Sequence, residues 1–222
     1  MKKLKYIFLL AGALSLASCE SWLDEDPQYT INTKTQFSTV ENARQALMGC
    51  YGYMSADNAY GQAWQEVTFG YCGFGWSQTN GSSTDLLVSM DGGIDETINT
   101  MAWRGMYKVI GETNAFIANI ADSPLESADK LPMEAAARFL RALAYYNLAV
   151  TYGDVPLKTT PSAHDGVAVP RSPKNEVFEL VRTDWEFAYE NLPEKDDDGF
   201  ATKWAAKAYL GKLYHTLGCQ GD

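Results

Sequence analysis

The chain has 222 residues, of which 46% are hydrophobic and 13% aromatic, and it carries a formal net charge of −10 at pH 7. It holds enough apolar residues to bury the core of a single domain, so its composition is not that of a disordered protein. The acidic balance argues against nucleic-acid binding, which requires a basic surface that displaces counterions from phosphates.

The N-terminus resembles a bacterial lipoprotein signal. Three lysines within the first five residues precede an apolar run at residues 6–16. That run is too short to cross a bilayer, because a spanning helix needs about 20 residues. The sequence "LASC", which ends at Cys19, resembles a lipobox. We therefore expect a signal peptide over residues 1–18, acyl chains on Cys19 and a lipidated extension over residues 19–37, with a simple cleaved signal as the alternative.

Three cysteines remain once Cys19 is acylated, namely Cys50, Cys72 and Cys219. An odd number argues against a complete disulfide framework, and no C-x-x-C pair is present for metal or redox chemistry. A single Cys50–Cys72 disulfide is compatible with an oxidising compartment. The favoured interpretation is that these cysteines are free and behave as small hydrophobic residues.

The first predicted helix begins at a serine that is followed by a helical pattern. Ser38 and Glu41 are spaced as a capping box. Ala43, Leu47 and Tyr51 then recur at helical spacing. This pattern predicts an amphipathic helix with one buried face.

A stretch rich in glycine and aromatic residues follows, "TFGYCGFGWSQTNGSS". Phe69 and Tyr71 alternate with other residues, as do Phe74 and Trp76, and the phase changes at the glycine between the two pairs. This predicts two short extended pieces with a kink between them. Phe69 and Tyr71 are expected to pack in the core, since large rings are usually buried. Trp76 precedes a polar run, and both a buried and an exposed position are open for it.

Two long helices are predicted next. Two apolar stripes run from about residue 96 to residue 121, so this helix is expected to lie between neighbours. The following helix is predicted to carry Pro132 in its first turn and to end near Tyr152, where Gly153 supplies a stop. Its predicted inner face comprises Phe139, Leu140, Leu143, Ala144, Tyr146, Leu148 and Val150.

A second pair of helices is predicted after an irregular stretch that contains several prolines. Ser172 and Pro173 are placed as N-cap and first helical residue, and Thr202 is placed to cap the last helix. The predicted inner faces comprise Val177, Val181, Trp185 and Ala188 in one helix and Ala206, Leu210, Leu213 and Leu217 in the other.

The two predicted pairs share a local motif. Ala144-Tyr145 and Ala208-Tyr209 occupy equivalent places, and small residues beside tyrosines let antiparallel helices approach closely. This resembles tetratricopeptide (TPR) packing, although the period of about 34 residues that true repeats show is absent. The predicted fold is therefore mostly α-helical, with TPR-like helical pairs and irregular loops.

Four segments resemble the SusD/RagB family of Bacteroidetes outer-membrane lipoproteins. "LDEDP", shortly after Cys19, resembles the family's L-D-x-x-P. The helical segment that starts at Trp103, "WRGMYKVIGETNAFI", resembles its W-x-x-x-Y-x-x-I-x-x-x-N-x-x-I. The most specific segment is "EAAARFLRALAYYNLAVTYGDVPL", which differs from the family's pattern by one residue of spacing near Ala136. "PRSPKNEVFELVRTDWEFAYENLP" resembles the next family segment, so the resemblance covers essentially the whole chain.

This resemblance implies a SusD-like N-terminal helical domain over residues 38–222, expected to be incomplete because family members are considerably longer. It also implies a lipid anchor in the outer membrane, and the acidic residues after Cys19 resemble the flank that directs such lipoproteins to the cell surface. Family members capture glycans, or peptides in RagB-like members, and deliver them to a SusC-like TonB-dependent transporter. They are not enzymes and need no cofactor. A peptide-binding member and a truncated structural remnant without ligand binding are the alternatives.

The candidate ligand surface lies in the glycine-aromatic stretch. Flat rings cover the apolar faces of sugars, while neighbouring amides bond the hydroxyl groups. Trp76, followed by Gln78 and Asn80, has this chemistry. The predicted ligand-binding residues are Trp64, Tyr71, Phe74, Trp76, Gln78 and Asn80. Trp64 is a weaker candidate among them, as is Tyr60 beside them, and Trp103 and Trp185 are assigned to the core.

The sequence contains little that indicates catalysis or metal binding. His164 and His215 lack a neighbouring nucleophile motif, and G-x-S-x-G, H-E-x-x-H and P-loop patterns are absent from the sequence. "EKDDDG" at residues 194–199 resembles the start of an EF-hand loop, but its twelfth position is Ala205 rather than the required glutamate. We therefore predict a solvated inter-helix loop there, with no enzyme activity, cofactor or metal site.

Overall fold

A computed structural model of the chain describes residues 33–70, 72, 75–76, 88–90, 97–161 and 169–218, which all belong to one compact unit. The described chain is mostly α-helical, as the sequence predicts. Several sequence predictions lie outside the described residues, namely the signal peptide, acylated Cys19, the segment "LDEDP", Tyr71, Phe74, Gln78, Asn80, His164 and Cys219.

Seven α-helices and two short strands are formed by the described residues. The helices are α1 (Thr33–Gln36), α2 (Val40–Ser55), α3 (Ala63–Gly70), α4 (Thr97–Ala121), α5 (Ser127–Tyr152), α6 (Lys174–Asn191) and α7 (Lys203–Gly218), and a π-helical turn, Asp57–Gly61, precedes α3. Strands β1 (Val155–Pro156) and β2 (Arg171–Ser172) pair antiparallel, with Val155 opposite Ser172 and Pro156 opposite Arg171. No helix in these ranges is both long and apolar enough to cross a membrane.

The N-cap of the first long helix, α2, lies one residue later than predicted. The Thr39 hydroxyl accepts a hydrogen bond from the Asn42 backbone N–H at 3.2 Å, so Thr39 is the N-cap. Ser38 instead donates its hydroxyl to the Thr35 carbonyl oxygen at 2.8 Å. The predicted Ser38 cap is therefore wrong, because two adjacent hydroxyl residues compete for the role and Ser38 is bonded to the preceding helix.

Helix α5 is the centre of the fold. It packs against α4, α6 and α2, which explains why most residues between positions 133 and 149 are buried rather than a single stripe. The predicted inner face is confirmed except at Val150, which is exposed. The helix ends at Gly153 as predicted, where the Gly153 N–H donates to the Ala149 carbonyl oxygen at 3.1 Å.

The start of α5 differs from the prediction. The helix begins at Ser127, so Pro132 lies inside it rather than in its first turn. The Glu126 carbonyl oxygen accepts the backbone N–H groups of Asp129 and Lys130, both at 3.0 Å, and these bonds form a helical turn ahead of the proline. The proline removes one helical donor, but the turn before it is held independently.

Helix α6 also begins one residue later than predicted. Ser172 belongs to β2, and Pro173 is the N-cap of the helix. The Asp154 carboxylate supplies the side-chain acceptor that a capping hydroxyl would provide, because its Oδ1 accepts the Lys174 N–H at 2.9 Å. The predicted inner face of α6 is confirmed, with four fully buried residues, Val177, Val181, Trp185 and Ala188.

Helix α7 begins directly after Thr202 and packs on α6. Ala208 is exposed whereas Ala144 is fully buried, so the two Ala–Tyr motifs are not equivalent. The difference arises because α5 is enclosed on several sides, while α7 packs mainly against α6. The predicted inner face of α7 is buried or half-buried throughout, at Ala206, Leu210, Leu213 and Leu217.

A buried polar network links three helices to the segment that follows β1. Arg141 on α5 forms a bidentate pair with Asp184 on α6, with Nε–Oδ2 and Nη2–Oδ1 distances of 2.8 Å each. Its Nη1 donates to Asn114 Oδ1 on α4, also at 2.8 Å. The Asn114 amide nitrogen donates to the carbonyl oxygens of Lys158, at 2.9 Å, and Thr160, at 3.3 Å. The network therefore fixes α4, α5, α6 and this segment in one arrangement.

Candidate functional site

The exposed side of α3 forms one wall of the candidate site. Phe69 is 65% exposed and lies in the last turn of the helix. Both predictions for Phe69, burial in the core and an extended conformation, are therefore wrong. The helical period explains its position, because Phe69 comes two residues after buried Val67 and so lies on the other side of the helix. The inner face of α3 consists of Ala63, Trp64, Val67 and Gly70.

Trp76 forms the facing part of the site and is 82% exposed, so of the two positions left open by the sequence the exposed one is adopted. Gly75 allows the Trp76 segment to approach α3 closely. A Cβ atom at residue 75 would lie 3.2 Å from the Phe69 carbonyl oxygen and 3.3 Å from Val88 Cγ2. A side chain there would therefore push the Trp76 segment away from α3.

An open cavity of about 330 Å³ lies between these elements. Two exposed rings, a carboxylate and a carboxamide converge on it, and such a mixture of apolar and polar groups suits a sugar, which has apolar C–H faces and polar edges. The described residues that line it are Gln65, Glu66, Phe69, Gly70, Gly75, Trp76 and Val88, and among these Trp76 was predicted.

Two polar side chains on the edge of the cavity are held in fixed orientations. Gln62 Nε2 donates to Glu66 Oε1 at 2.7 Å. Gln65 Nε2 donates to the Tyr60 carbonyl oxygen, also at 2.7 Å. The carboxylate of Glu66 and the amide of Gln65 are thus positioned beside the exposed rings before any ligand arrives.

The predicted ligand residue Trp64 lies in the core and is 8% exposed. Its ring packs edge-on against Tyr60, with centroids 6.4 Å apart. The Tyr60 hydroxyl accepts a hydrogen bond from the Asn147 amide at 2.7 Å, and burial raises the pKa of Tyr60 to about 12. The structure therefore gives both residues a packing role. Trp185 is fully buried as predicted, and Trp103 is half-buried.

The two cysteines among the described residues are not bridged. Cys50 is buried and Cys72 is exposed, and both are free, so the Cys50–Cys72 disulfide is not formed. Burial raises the pKa of Cys50 to about 12. The Cys72 thiol donates to the Phe69 carbonyl oxygen at 2.8 Å. The favoured interpretation, free cysteines, is confirmed for these two residues.

The acidic loop that resembles the start of an EF-hand contacts an arginine. The Arg44 guanidinium pairs with Asp198 and, at 3.4 Å, with Asp196, and it lies 4.7 Å from the Phe200 ring centroid. Asp196 Oδ1 also accepts the backbone N–H of Asp198 at 2.9 Å. No group of three or more potential metal ligands occurs among the described residues. This loop is thus held against α2 by an ion pair.

Comparison with known proteins identifies the family. Residues 21–215 match the SusD-like family described as "Starch-binding associating with outer membrane". The chain belongs to this family. The match extends over nearly all of the described residues and confirms the resemblance seen in the sequence motifs.

SusD-like relatives match the chain along nearly its whole length. The SusD-like protein P25 of Formosa agariphila is 26% identical over 223 residues, which span 94% of this chain and 42% of that protein. A SusD-like protein of Bacteroides ovatus is 28% identical over 218 residues, which span 96% of this chain and 39% of that protein. The chain therefore spans about two fifths of the length of these relatives.

Solved structures of SusD-like proteins share the fold. A SusD superfamily protein from Bacteroides thetaiotaomicron aligns with a TM-score of 0.71 at 25% identity, over 81% of this chain and 43% of that one. A laminarin-binding SusD-like protein aligns with a TM-score of 0.70 at 25% identity, over 82% and 41% of the two chains. A structure with xylogluco-oligosaccharide aligns with a TM-score of 0.65 at 26% identity, over 76% and 34%.

Proposed function

We propose that this protein binds glycans at the cell surface for uptake through a SusC-like TonB-dependent outer-membrane transporter. The observation that carries the proposal is the open cavity beside α3, where Trp76 and Phe69 expose their rings next to Glu66 and Gln65. Two structural neighbours support a glycan ligand, one through its description as laminarin-binding and the other through the oligosaccharide in its structure.

Binding at this cavity would be non-covalent and would need no cofactor. The rings of Trp76 and Phe69 would cover the apolar C–H faces of sugar units, while Glu66 and Gln65 would accept hydrogen bonds from hydroxyl groups. Because the polar side chains are already oriented by their neighbours, little conformational entropy would be lost on binding. The other predicted ligand residues, Tyr71, Phe74, Gln78 and Asn80, belong to the same part of the sequence as Trp76.

The proposal includes a lipid anchor and a transporter partner. Acyl chains on Cys19 would hold the protein on the outer face of the outer membrane, as the signal-like N-terminus indicates. A captured glycan would then be held at a high effective concentration next to the transporter, which makes capture productive even when the intrinsic affinity is modest.

Substitution of the two exposed rings tests the glycan site. We expect Trp76→Ala and Phe69→Ala each to weaken binding of laminarin or a xyloglucan oligosaccharide by about tenfold, which corresponds to about 1.4 kcal/mol. Isothermal titration calorimetry measures the affinities. Trp204→Ala is the matched control, because Trp204 is a 51% exposed tryptophan on α7 and lines neither this cavity nor any other part of the site.

Each contrary outcome has a distinct meaning. Glycan affinity that is unchanged in Trp76→Ala would show that the ligand binds elsewhere. Binding to a peptide panel without binding to glycans would favour a peptide-binding RagB-like protein. Co-purification with a transporter, together with no binding to either panel, would favour a structural role without a ligand.

A further inference from the structure

A second cavity, of about 250 Å³, opens where α4, the end of α5 and the two short strands meet. None of its lining residues also lines the cavity beside α3. It is therefore a separate concave surface, built from different elements. The lining residues are Asn99, Thr100, Trp103, Tyr152, Asp154 and Arg171.

One wall of the second cavity is aromatic and rigid. The Trp103 ring packs edge-on against Tyr152, with centroids 5.1 Å apart, and lies 5.0 Å from the Tyr107 ring. The Tyr152 hydroxyl donates to the Asn99 carbonyl oxygen at 3.2 Å. The Tyr107 hydroxyl donates to the Pro156 carbonyl oxygen at 2.7 Å. These contacts fix a half-buried tryptophan at the surface of the cavity, although its place in a helical stripe predicted a core role.

The rim of the second cavity carries one cationic and one anionic side chain. Arg171 is exposed on β2, and no carboxylate of the described residues lies within ion-pair distance of its guanidinium. Asp154 is also exposed, and its Oδ1 accepts the Lys174 N–H at 2.9 Å, which fixes the carboxylate in place. The antiparallel pairing of Arg171 with Pro156 keeps β2, and hence the guanidinium, beside the aromatic wall.

We propose that this cavity is a second saccharide subsite, which binds an uncharged glycosyl unit. The inference rests on the proposed glycan-binding function and adds a second contact point for the same class of ligand. The Trp103 ring covers an apolar sugar face, Arg171 donates to hydroxyl oxygens, and Asp154 accepts from hydroxyl groups. A sugar hydroxyl both donates and accepts, so a carboxylate and a guanidinium beside one ring match its chemistry.

The charges around the cavity favour a neutral unit over an acidic one. A uronic acid would be attracted by Arg171 but repelled by Asp154, and the net charge of −10 on the chain opposes the approach of a polyanionic glycan. The ammonium group of an amino sugar would be attracted by Asp154 but repelled by the guanidinium of Arg171. A neutral unit avoids both penalties and still uses both polar groups.

Fluorine NMR on the full chain labelled with 5-fluorotryptophan tests the two sites separately. The six tryptophans give six reporters, which single Trp→Phe variants assign. We expect titration with a neutral laminarin oligosaccharide to shift the signals of both Trp76 and Trp103. Arg171→Ala should weaken the affinity measured from the Trp103 signal by about tenfold and leave the affinity measured from the Trp76 signal unchanged. Lys195→Ala, which removes an 82% exposed cation from the α6–α7 loop, should alter neither the Trp103 nor the Trp76 affinity.

The outcomes distinguish this inference from the proposed function. A Trp76 response without a Trp103 response would overturn the second subsite and leave the proposed function standing. A Trp103 response that Arg171→Ala weakens, without a Trp76 response, would support the second subsite and contradict the site beside α3. A Trp103 response only to an oligogalacturonate would overturn the assignment to a neutral unit. No response from either tryptophan to any of these saccharides would overturn both proposals.

Discussion

Among single residues, Arg141 and Asp184 form a buried ion pair on which the stability of the fold depends. Their side chains are only 6% and 1% exposed. Removing two charges from water is expensive, and the cost is offset only when the charges face each other with good geometry. The bidentate bonds meet that condition, and Asn114 accepts a further guanidinium N–H. The pair is therefore sensitive to the loss of either partner.

We predict that Asp184→Ala lowers the free energy of unfolding by about 3–5 kcal/mol, because Arg141 would remain buried without a counter-charge. Urea denaturation measures this change. The matched control is Arg182→Ala, which removes an arginine with a 36% exposed side chain that pairs with Glu179 and Glu186 on the same helix, and this change should cost much less. A loss from Asp184→Ala no larger than that of the control would contradict this account of the pair.

Helical periodicity predicts which apolar residues are buried, but it does not predict which polar residues are buried with them. Helical spacing placed Val181 and Trp185 in the core correctly, because both are apolar and four residues apart. Spacing alone does not show that Asp184, directly before Trp185, is also buried, since its burial depends on an arginine 43 positions away. Phe69 was misplaced for a different reason, because the glycines around it favoured an extended interpretation and hid the end of a helix.

Between elements, α4 and the π-helical turn approach each other closely at Gly105. A Cβ atom at Gly105 on α4 would lie 1.9 Å from the Asn58 carbonyl oxygen and 2.4 Å from its carbonyl carbon. The obstructing atoms belong to backbone, which cannot rotate away as a flexible side chain can. Only glycine therefore allows these two elements to pack at this distance.

We predict that Gly105→Ala destabilises the protein by at least about 1–3 kcal/mol, the usual cost of overpacking. Gly49→Ala on α2 is the matched control, because no heavy atom lies within 4 Å of a Cβ built there. Removing that helical glycine should stabilise the protein by about 0.5–1 kcal/mol. The Tm of thermal unfolding should therefore fall for Gly105→Ala and rise for Gly49→Ala. A shift of the same sign in both variants would argue against the close contact between Gly105 and Asn58.

Long and short elements differed in how well the sequence predicted them. Helices α4 to α7 were predicted because each repeats its apolar spacing over several turns, and the errors in their bounds lie at the starts of α5 and α6. At α6 the cap moved by one residue because the Asp154 carboxylate, distant in sequence, takes the role assigned to Ser172. The π-helical turn and α3 were missed, since each offers too few turns for a period to show. The spacing of Trp64 and Val67 was the available signal for α3.

At the scale of the whole molecule, the scaffold holds two cavities at the ends of helices. One lies at the exposed end of α3, and the other lies where α4 begins and α5 ends. Both cavities combine helical residues with residues outside the long helices, Gly75 and Trp76 in the first and Asp154 and Arg171 in the second. This is the usual division between a binding surface and its scaffold. The buried network through Asn114 contributes to this rigidity, because it joins α4 to the segment beyond β1.

The proposed membrane anchor gives the last prediction, because it would determine whether capture takes place beside a transporter. One acyl chain binds a membrane only weakly, whereas several chains hold a protein stably. We expect the mature N-terminal peptide to begin at Cys19 and to carry acyl chains, as measured by mass spectrometry, and Cys19→Ser to release the protein from the outer-membrane fraction. Cys72→Ser, which changes an exposed free cysteine elsewhere, should leave membrane association intact. An unacylated N-terminal peptide in a membrane-bound wild-type protein would disprove the lipid anchor and require a protein partner to hold the chain at the membrane.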